Sequence, residues 1–473
     1  YMIKRFFAVK DTQITNARRD NLLSSGSFSN MGLADSGEIF SLFNTNGVST
    51  ASYLNDVSRL LFKFDTTSIL EDTEIPQASA SFFFRLYNVT HDETLPRNYT
   101  LVVHPLLEEW VEGNGLDIDN YFDLGEANWM SSSLGVPWTQ TGSDFNTSYS
   151  FSQTFEKGYE DLEVNITSLM TAFRNEDLQD EGFIVKLTSS QEYSTQSYYK
   201  KSFSMRGTQY WFSRPCIEVR LQDAIFDDRN NSYFSASLAS GPDNLNTLYL
   251  YNKVRGQLSN IPVIEEGNIF VSFFTGTTPS TGNYIANATG VWVATGTYRA
   301  QFYTTFTGTL YDFWHNNSPV QVPTTYYFSS TLTMKNFVED YYTSNDEFIL
   351  SMPNLKNFYN IDDHIRLDLM VRKRQWRANI FTTMNPQQQS REYIRKAYYQ
   401  IRRSLDSKIV VDFGTGSIQH TLLSYDKDGN YFNLDLSLFE PDYQYEIAYM
   451  FDIEGKKCLQ RDKFKFRVQR EFV

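Results

Sequence analysis

Carboxylates and indole rings of the kind that handle sugars occur around one turn of the chain. Glu108 and Glu109 precede the turn Trp110-Val-Glu-Gly-Asn-Gly115, and Trp129 and Trp138 follow it. A glycosidase needs two carboxylates that face each other across a sugar, and exposed indole rings would form a platform for sugar stacking. The plainer interpretation is a solvated acidic turn followed by tryptophans packed in a core. Catalytic, ligand-binding and packing roles all remain open at this point.

The acidic loop that follows this turn is a candidate for metal binding. Its carboxylates are Asp117, Asp119 and Asp123. Calcium prefers six to eight oxygen ligands, which such a loop would supply. The spacing does not match an EF-hand, because the central glycine and the distal glutamate are missing. A structural calcium ion is therefore a hypothesis, and the sequence points to no other cofactor.

Signatures of catalysis are otherwise missing from the sequence. Its five histidines lie outside nucleophile elbows and zinc motifs. No glycine-rich loop with the lysine and hydroxyl of a phosphate-binding site occurs. We therefore expect that the protein is not an enzyme.

A group of cations stands out, because the chain as a whole is acidic with a net charge of −14. Such a balance argues against a general nucleic-acid binder, whose affinity comes from neutralising phosphates. We interpret the group as a contact surface for an acidic neighbouring subunit, with contact to DNA as the alternative. Its members are Arg372, Lys373, Arg374, Trp376, Arg377, Arg395, Arg402 and Arg403.

The elements that must position these residues read as β-strands. Aromatic residues make up 16% of the chain, and alternating runs such as Cys216-Ile-Glu-Val-Arg-Leu221 are typical of strands with one wet face. One short helix is expected from Ile166 to Arg174, with Asn165 as its N-cap. A hairpin is expected around Glu454-Gly455. Cys216 and Cys458 are expected to be unpaired thiols.

Composition changes divide the chain into three expected domains. The segment from Asp223 to Asn231 is acidic and turn-prone, and a softer boundary lies near 345. We expect a jelly-roll sandwich over 1–222 and immunoglobulin-like β-sandwiches over 223–345 and 346–473. The first residues lack the core of a signal peptide, and no run approaches about 18 apolar residues. A membrane association is therefore not expected.

The first 220 or so residues resemble the DNRLRE-type domain, a jelly roll related to carbohydrate-binding modules. The matching segments, in order, are Asp11 to Asn16, Ser58 to Asp65, Gln77 to Tyr87, Trp110 to Gly115, Val164 to Leu169 and Arg214 to Val219. The motif that names this family is absent, and Asn16 to Asn21 is at best its remnant. The resemblance implies the fold of this domain.

The remaining chain resembles structural proteins of tailed-phage virions, of the kind found in marine and cyanobacterial phages. The matching segments are Lys201 to Thr208, Asp227 to Asn230, Asp243 to Asn252, Arg255 to Pro262, Leu423 to Phe432 and Pro441 to Glu446. This resemblance implies a virion component in the capsid, neck, tail or fibre that is assembled in the host cytoplasm. Its partners would be other virion proteins and copies of itself. The alternative is a carbohydrate-binding adhesion module that recognises a host-surface glycan.

Overall fold

The structure is a computed structural model that describes residues 3–19, 25–43, 55–91, 96–118, 125–317, 322–337, 342–343, 345–377, 380 and 392–470. The expected all-β class is confirmed, since strands dominate both parts of the chain. Two compact units make up the chain, Tyr1–Gln222 and Asp223–Val473. In the described residues, no helix has the length and apolar character that crossing a bilayer requires.

The first unit is built from short strands with three small helices. Its strands are β1 (Ile3–Phe7), β2 (Lys10–Thr15), β3 (Ser36–Phe43), β4 (Asn55–Lys63), β5 (Ser81–Leu86), β6 (Tyr99–Pro105), β7 (Ser131–Ser133), β8 (Val136–Pro137), β9 (Phe151–Phe155), β10 (Leu162–Asn165), β11 (Phe183–Leu187), β12 (Tyr199–Ser204) and β13 (Cys216–Arg220). Its helices are α1 (Thr66–Glu71), α2 (Thr167–Arg174) and α3 (Ser189–Glu192).

Two antiparallel sheets of this unit face each other in a jelly-roll-like sandwich. One sheet has the strand order β1-β13-β5-β10, and the other has the order β12-β3-β4-β11-β6-β9 with β2 paired to β4. Successive side chains of a strand point to opposite faces. Leu60 and Phe62 of β4 therefore enter the central core, whereas Arg59 and Leu61 point to the outer face of the larger sheet. The outer face is where the tryptophans of the sequence analysis pack.

The expected helix is present one residue shorter than its sequence pattern suggested. α2 begins at Thr167 with Ile166 at the N-cap position, so the expectation of Asn165 as the N-cap was wrong by one residue. The side chain of Asn165 still accepts hydrogen bonds from the backbone N–H and the hydroxyl of Thr167, at 3.0 and 2.6 Å. Leu169, Met170 and Phe173 join the sandwich core. Burial of this apolar stripe stabilises a helix that is too short to be stable alone.

The second unit contains the remaining strands. They are β14 (Asn246–Tyr251), β15 (Lys253–Val254), β16 (Gln257–Leu258), β17 (Ile269–Phe274), β18 (Tyr284–Ala294), β19 (Thr297–Phe302), β20 (Thr309–His315), β21 (Phe328–Thr333), β22 (Phe348–Ser351), β23 (Phe358–Asn360), β24 (His364–Lys373), β25 (Ala397–Arg403), β26 (Ile409–Val411), β27 (Ser424–Asp426), β28 (Gly429–Asp435), β29 (Gln444–Ile453) and β30 (Lys456–Gln469).

Residues 246–333 of this unit contribute a six-stranded sheet with the order β14-β19-β18-β17-β20-β21, which surrounds a core of its own. Residues 348–469 contribute two further sheets, β22-β24-β28-β27 and β23-β30-β29-β25-β26. The expected hairpin at Glu454-Gly455 joins β29 to β30. The division of the whole chain into three domains remains a prediction.

Candidate functional site

Trp110, Trp129 and Trp138 lie in a core rather than on a surface. They are 1%, 8% and 5% exposed and pack on the outer face of the larger sheet of the first unit. Trp110 and Trp138 donate their indole N–H groups to the backbone oxygens of Glu181 and Asn128, at 3.1 and 2.8 Å. Packing in this core accounts for the tryptophans around the turn, and a ligand-binding role for them remains a prediction.

The glycines of the Trp110 turn are explained by one buried asparagine. Asn30 is fully buried, and its side-chain amide donates to the backbone oxygen of Ala127 at 2.7 Å. A Cβ atom on Gly113 would lie 1.8 Å from the side chain of Asn30, and one on Gly115 would lie 1.6 Å from its backbone oxygen. The turn therefore needs glycine because the chain passes too close to Asn30 for any side chain.

The carboxylate of this turn forms an ion pair with Arg206 and lies beside the carboxyl group of Asp11. Both oxygens of Glu112 accept from the Arg206 guanidinium at 2.7 Å, and one accepts from the backbone N–H of Asp11 at 2.8 Å. Asp11 is almost fully buried beside them and accepts from the backbone N–H of Arg206. Burial, with the nearby charge of Glu112, raises the pKa of Asp11 to about 7. Glu108 and Glu109 are exposed.

The other half of the same outer face carries a buried ionic network. Glu192 of α3 accepts from Nε and Nη2 of Arg59, both at 2.9 Å, and from Nζ of Lys186 at 2.8 Å. The Arg59 guanidinium lies 5.0 Å from the ring centre of Trp129. Burial lowers the pKa of Lys186, and Glu192 opposes that shift. These hydrogen-bonded charges hold Arg59 in place against the ring of Trp129 and so support the segment that carries this tryptophan.

The candidate calcium loop is only partly within the described residues. Asp117 is half-buried there, and Asp119 and Asp123 lie outside the part of the chain that the structure describes. In the described part, no group of three or more histidine, cysteine or acidic side chains has the geometry to hold a metal ion. The calcium hypothesis remains a prediction. Cys216 is buried and Cys458 half-buried, and neither forms a disulfide bond among the described residues.

Most of the expected cationic surface is neutralised within the second unit. The ion pairs are Lys373–Asp346 at 3.6 Å, Arg374–Glu347 at 2.9 Å, Arg395–Asp228 at 3.4 Å, Arg402–Glu446 at 3.4 Å and Arg403–Asp406 at 2.6 Å. Arg372 lies 5.9 Å from the ring of Trp376, and Arg377 is exposed. Arg372 and Lys373 lie on β24, and Arg402 and Arg403 lie on β25 of a different sheet, so closeness in sequence does not by itself make the group one basic face. Their role in subunit contact remains a prediction.

Sequence reasoning missed a buried cluster in the second unit, which we call the aspartate clasp: Asp227, Asp228, Arg229, Asp312 and Tyr425. Asp228 accepts from the backbone N–H of Thr247 in β14 at 2.8 Å and from the hydroxyl of Tyr425 in β27 at 2.6 Å. It therefore ties the six-stranded sheet to the sandwich that follows it. The sequence marks Asp227 to Asn230 as part of a domain boundary and of a family resemblance, and its run of charges was the signal that could have indicated a buried cluster.

Further bonds reach the buried charges of the aspartate clasp, although Nη2 of Arg229 has no hydrogen-bond partner among the described residues. Arg229 donates to Asp312 at 2.9 Å, and the indole N–H of Trp314 donates to the same oxygen at 2.7 Å. Burial raises the pKa of Asp227 to about 7, although Arg229 acts against that rise. Burial also raises the pKa of Asp228, which Arg395 and Tyr425 partly offset. The aspartate clasp is thus a structural junction with perturbed carboxyl groups rather than an open catalytic site.

A cleft of about 390 Å³ opens beside the aspartate clasp. Its walls include three tyrosines, Tyr233, Tyr342 and Tyr393, together with both cations and carboxylates. One oxygen of Asp452, also in the lining, is buried and has no hydrogen-bond partner within the structure. Aromatic walls combined with an unsatisfied carboxylate oxygen suit a small polar ligand that carries hydroxyl or amine donors.

The outer strand of the six-stranded sheet forms an exposed apolar edge. β21 is last in the strand order, and two tyrosines precede its first residue, Phe328. Tyr326, Tyr327 and Phe328 are 51%, 43% and 38% exposed. The strand itself reads Phe-Ser-Ser-Thr-Leu-Thr and contains neither a charge nor a proline. The strand itself therefore lacks the charged and proline residues that usually prevent edge strands from pairing with other chains, although the Arg229 guanidinium lies 5.2 Å from the ring centre of Phe328.

Comparison with known proteins gives little to add to this geometry. No family model and no curated protein matches the chain. Among solved structures, trypsin-activated alpha-2-macroglobulin from Escherichia coli is 9% identical, with 89% of this chain and 23% of that chain covered and a TM-score of 0.16. The BSP domain of a biofilm associated protein is 8% identical, with 96% and 68% covered and a TM-score of 0.17.

The native conformation of the Escherichia coli alpha-2-macroglobulin is also 8% identical, with 98% of this chain and 26% of that chain covered and a TM-score of 0.16. The chain thus spans 23% and 26% of the lengths of the two macroglobulin structures. TM-scores this low carry no argument about fold or function.

Proposed function

We propose that the protein is a structural component of a tailed-phage virion that acts through protein–protein contacts. The observation that carries the proposal is the β21 edge, defined as Tyr326 to Thr333. Aromatic side chains are enriched at protein interfaces, and an uncharged edge strand presents a row of backbone groups that another strand can pair with. The resemblance of the segments named above to virion structural proteins supports the same role.

The rigid junctions of the chain are consistent with this role. The aspartate clasp joins the sheets of the second unit, and the Arg59–Glu192–Lys186 network supports the cover of the first. Buried, hydrogen-bonded polar groups of this kind fix the elements that they join relative to one another.

A lysine on the β21 edge tests the contact. Thr331 is exposed on this strand, and Thr331→Lys would place a charge that a second strand must bury. We expect the wild-type chain to self-associate or to bind virion proteins in sedimentation experiments, and the variant to lose that association. Thr295→Lys is the matched control, because Thr295 is exposed in the turn between β18 and β19. Equal association of both variants would count against the β21 edge.

The place of the protein in a particle needs a separate test. Antiserum against the chain should label intact particles in electron micrographs, and cross-links should join it to other virion proteins. Particles that carry no label, from a phage that encodes the chain, would refute the proposed function.

The cleft beside the aspartate clasp supports a second candidate, a glycan-binding role. Its tyrosine walls and the unsatisfied oxygen of Asp452 fit a saccharide, which offers apolar ring faces and hydroxyl donors. A glycan array with the full chain tests this role, with Asp452→Asn and Tyr233→Ala as variants. Selective binding that both variants weaken would favour it, whereas an array without selective binding would exclude it.

A further inference from the structure

The six-stranded sheet of the second unit opens into a fork between two of its strands. β18 pairs with β17 along its first half, down to Tyr284. Its pairing with β19, however, starts only at Gly290, opposite Ala300. β19 meanwhile remains paired with β14 as far as Phe302. Beyond the Gly290–Ala300 pair, the two strands therefore diverge while each keeps its other neighbour.

This fork leaves backbone groups of β18 without a strand partner. In an antiparallel strand, residues alternate between the two sides in where their N–H and C=O groups point. About half of residues 284–289 therefore direct these groups into the gap. In the described residues, no backbone hydrogen bond links this segment to residues 301–307. Such a row of donors and acceptors at strand spacing is a template for another backbone.

The gap is a groove of about 760 Å³ with a distinctive lining. Ala286, Ala288, Phe302 and Phe306 contribute to a floor that packs on the core of the sheet, and Tyr303 stands 69% exposed at the rim. None of the twelve lining residues is an acid or a base, although 21% of the chain is charged. A charged occupant would lose hydration there without gaining a partner, so the lining selects against charge. We call this groove the strand slot.

We propose that the strand slot receives an extended, uncharged β-strand of about six residues from a neighbouring protein subunit. Its backbone would continue the ladder of residues 284–289, and its inward side chains would be small, because the floor beneath carries two alanines and two phenylalanine rings. A glycan is a poor occupant, since it offers no ladder of amide groups at strand spacing. The proposal rests on the proposed structural function only for the nature of the partner.

A synthetic peptide provides the direct test on the full chain. The probe is the capped peptide Thr-Val-Thr-Ala-Thr-Val, and two control peptides carry either a lysine at the fourth position or N-methyl groups on alternate amides. Hydrogen exchange should slow at least tenfold with saturating probe for those amides of residues 284–289 that point into the gap. The N-methylated peptide should give no protection, because it lacks the donors of the ladder. Absence of protection at millimolar probe, or equal protection by the N-methylated peptide, would overturn the proposal.

Two substitutions on the same strand give a matched pair. Ala288→Phe fills the floor of the strand slot and should weaken the probe at least tenfold, whereas Ala294→Phe adds the same ring on an exposed position outside it and should leave binding unchanged. Equal weakening by both variants would refute the assignment. Exchange in the wild-type chain keeps the test valid if Ala288→Phe fails to fold. If antiserum labels the particles but the probe peptide does not protect the strand slot from hydrogen exchange, only the strand insertion is refuted. If the probe protects the strand slot but the particles carry no label, only the virion role is refuted.

Discussion

Replacement of Glu192 by glutamine should destabilise the first unit strongly. The Glu192 carboxylate is 1% exposed and holds Arg59 and Lys186, whose side chains are 8% and 5% exposed. Glutamine keeps the shape of the side chain but removes the only negative charge between the two cations in this network. Loss of one partner of a buried ion pair costs about 3–5 kcal/mol, because the remaining charge stays buried. We expect Glu192→Gln to lie near the lower limit, about 3 kcal/mol, since one oxygen can still accept from Arg59.

Urea unfolding with tryptophan fluorescence measures this loss, because Trp129 lies over the Arg59 guanidinium. With a urea dependence of about 3 kcal/mol per molar for a unit of this size, the midpoint should fall by about 1 M. Hydrogen exchange should become faster in β4 and β11, which carry Arg59 and Lys186. Glu71→Gln, on the exposed end of α1, is the control and should leave the midpoint unchanged.

A triple variant separates buried charge from lost packing. Arg59→Met, Lys186→Met and Glu192→Leu together replace the network by apolar side chains of similar volume. Such replacements are often neutral, so the triple variant should lose less stability than Glu192→Gln alone. If Glu192→Gln unfolds at the wild-type midpoint, or if the losses of the single variants simply add in the triple variant, the reasoning about buried charge is refuted.

Three further outcomes follow from other sites. Burial raises the pKa of Asp11 to about 7, so the folded state keeps a proton that the unfolded chain releases near pH 4. The free energy of unfolding of the wild-type chain should therefore decrease as the pH rises from about 4 to about 7. Asp11→Asn should abolish that slope and gain on the order of 2–4 kcal/mol at pH 8 in urea titrations; an unchanged slope would contradict this. Gly115→Ala, which would push a Cβ to 1.6 Å from the backbone oxygen of Asn30, should cost about 2–4 kcal/mol by thermal unfolding, and a neutral result would disprove the close approach. Tyr425→Phe removes the 2.6 Å hydrogen bond to Asp228 and should reduce the free energy of unfolding of the second unit by about 1.5–3 kcal/mol. Calorimetry would show this as a lower melting temperature, and an unchanged melting temperature would argue against the aspartate clasp.

Local patterns predicted the element types well because they depend on residues a few positions apart. Asn165 preceding an apolar stripe predicted α2, and the Glu454-Gly455 turn between alternating runs predicted the β29–β30 hairpin. The pattern could not show that both faces of β4 would be buried, one by the central core and the other by the tryptophan-containing core. The segment that supplies Trp110 and Trp129 crosses the outer face, and nothing in its own sequence indicates that destination.

The candidate site was harder to predict because charges choose partners over long distances. Arg59 and Glu192 are separated by 133 residues, and Asp228 and Tyr425 by 197. The basic residues near Arg395 looked like one surface because they are close in sequence, but most of their carboxylate partners lie in distant segments of the chain. The fork between β18 and β19 has no sequence signal, since both strands alternate normally and only their directions diverge.

The sequence by itself therefore determined the all-β class, the short helix and the hairpin, because period-two alternation and capping are local properties of the backbone. Only the tertiary structure decided that the tryptophans are core residues, that the cations are mostly paired, and that backbone groups remain open along the strand slot. Those outcomes depend on which distant segments cover which faces, and burial and ion pairing are determined only once those segments are packed together.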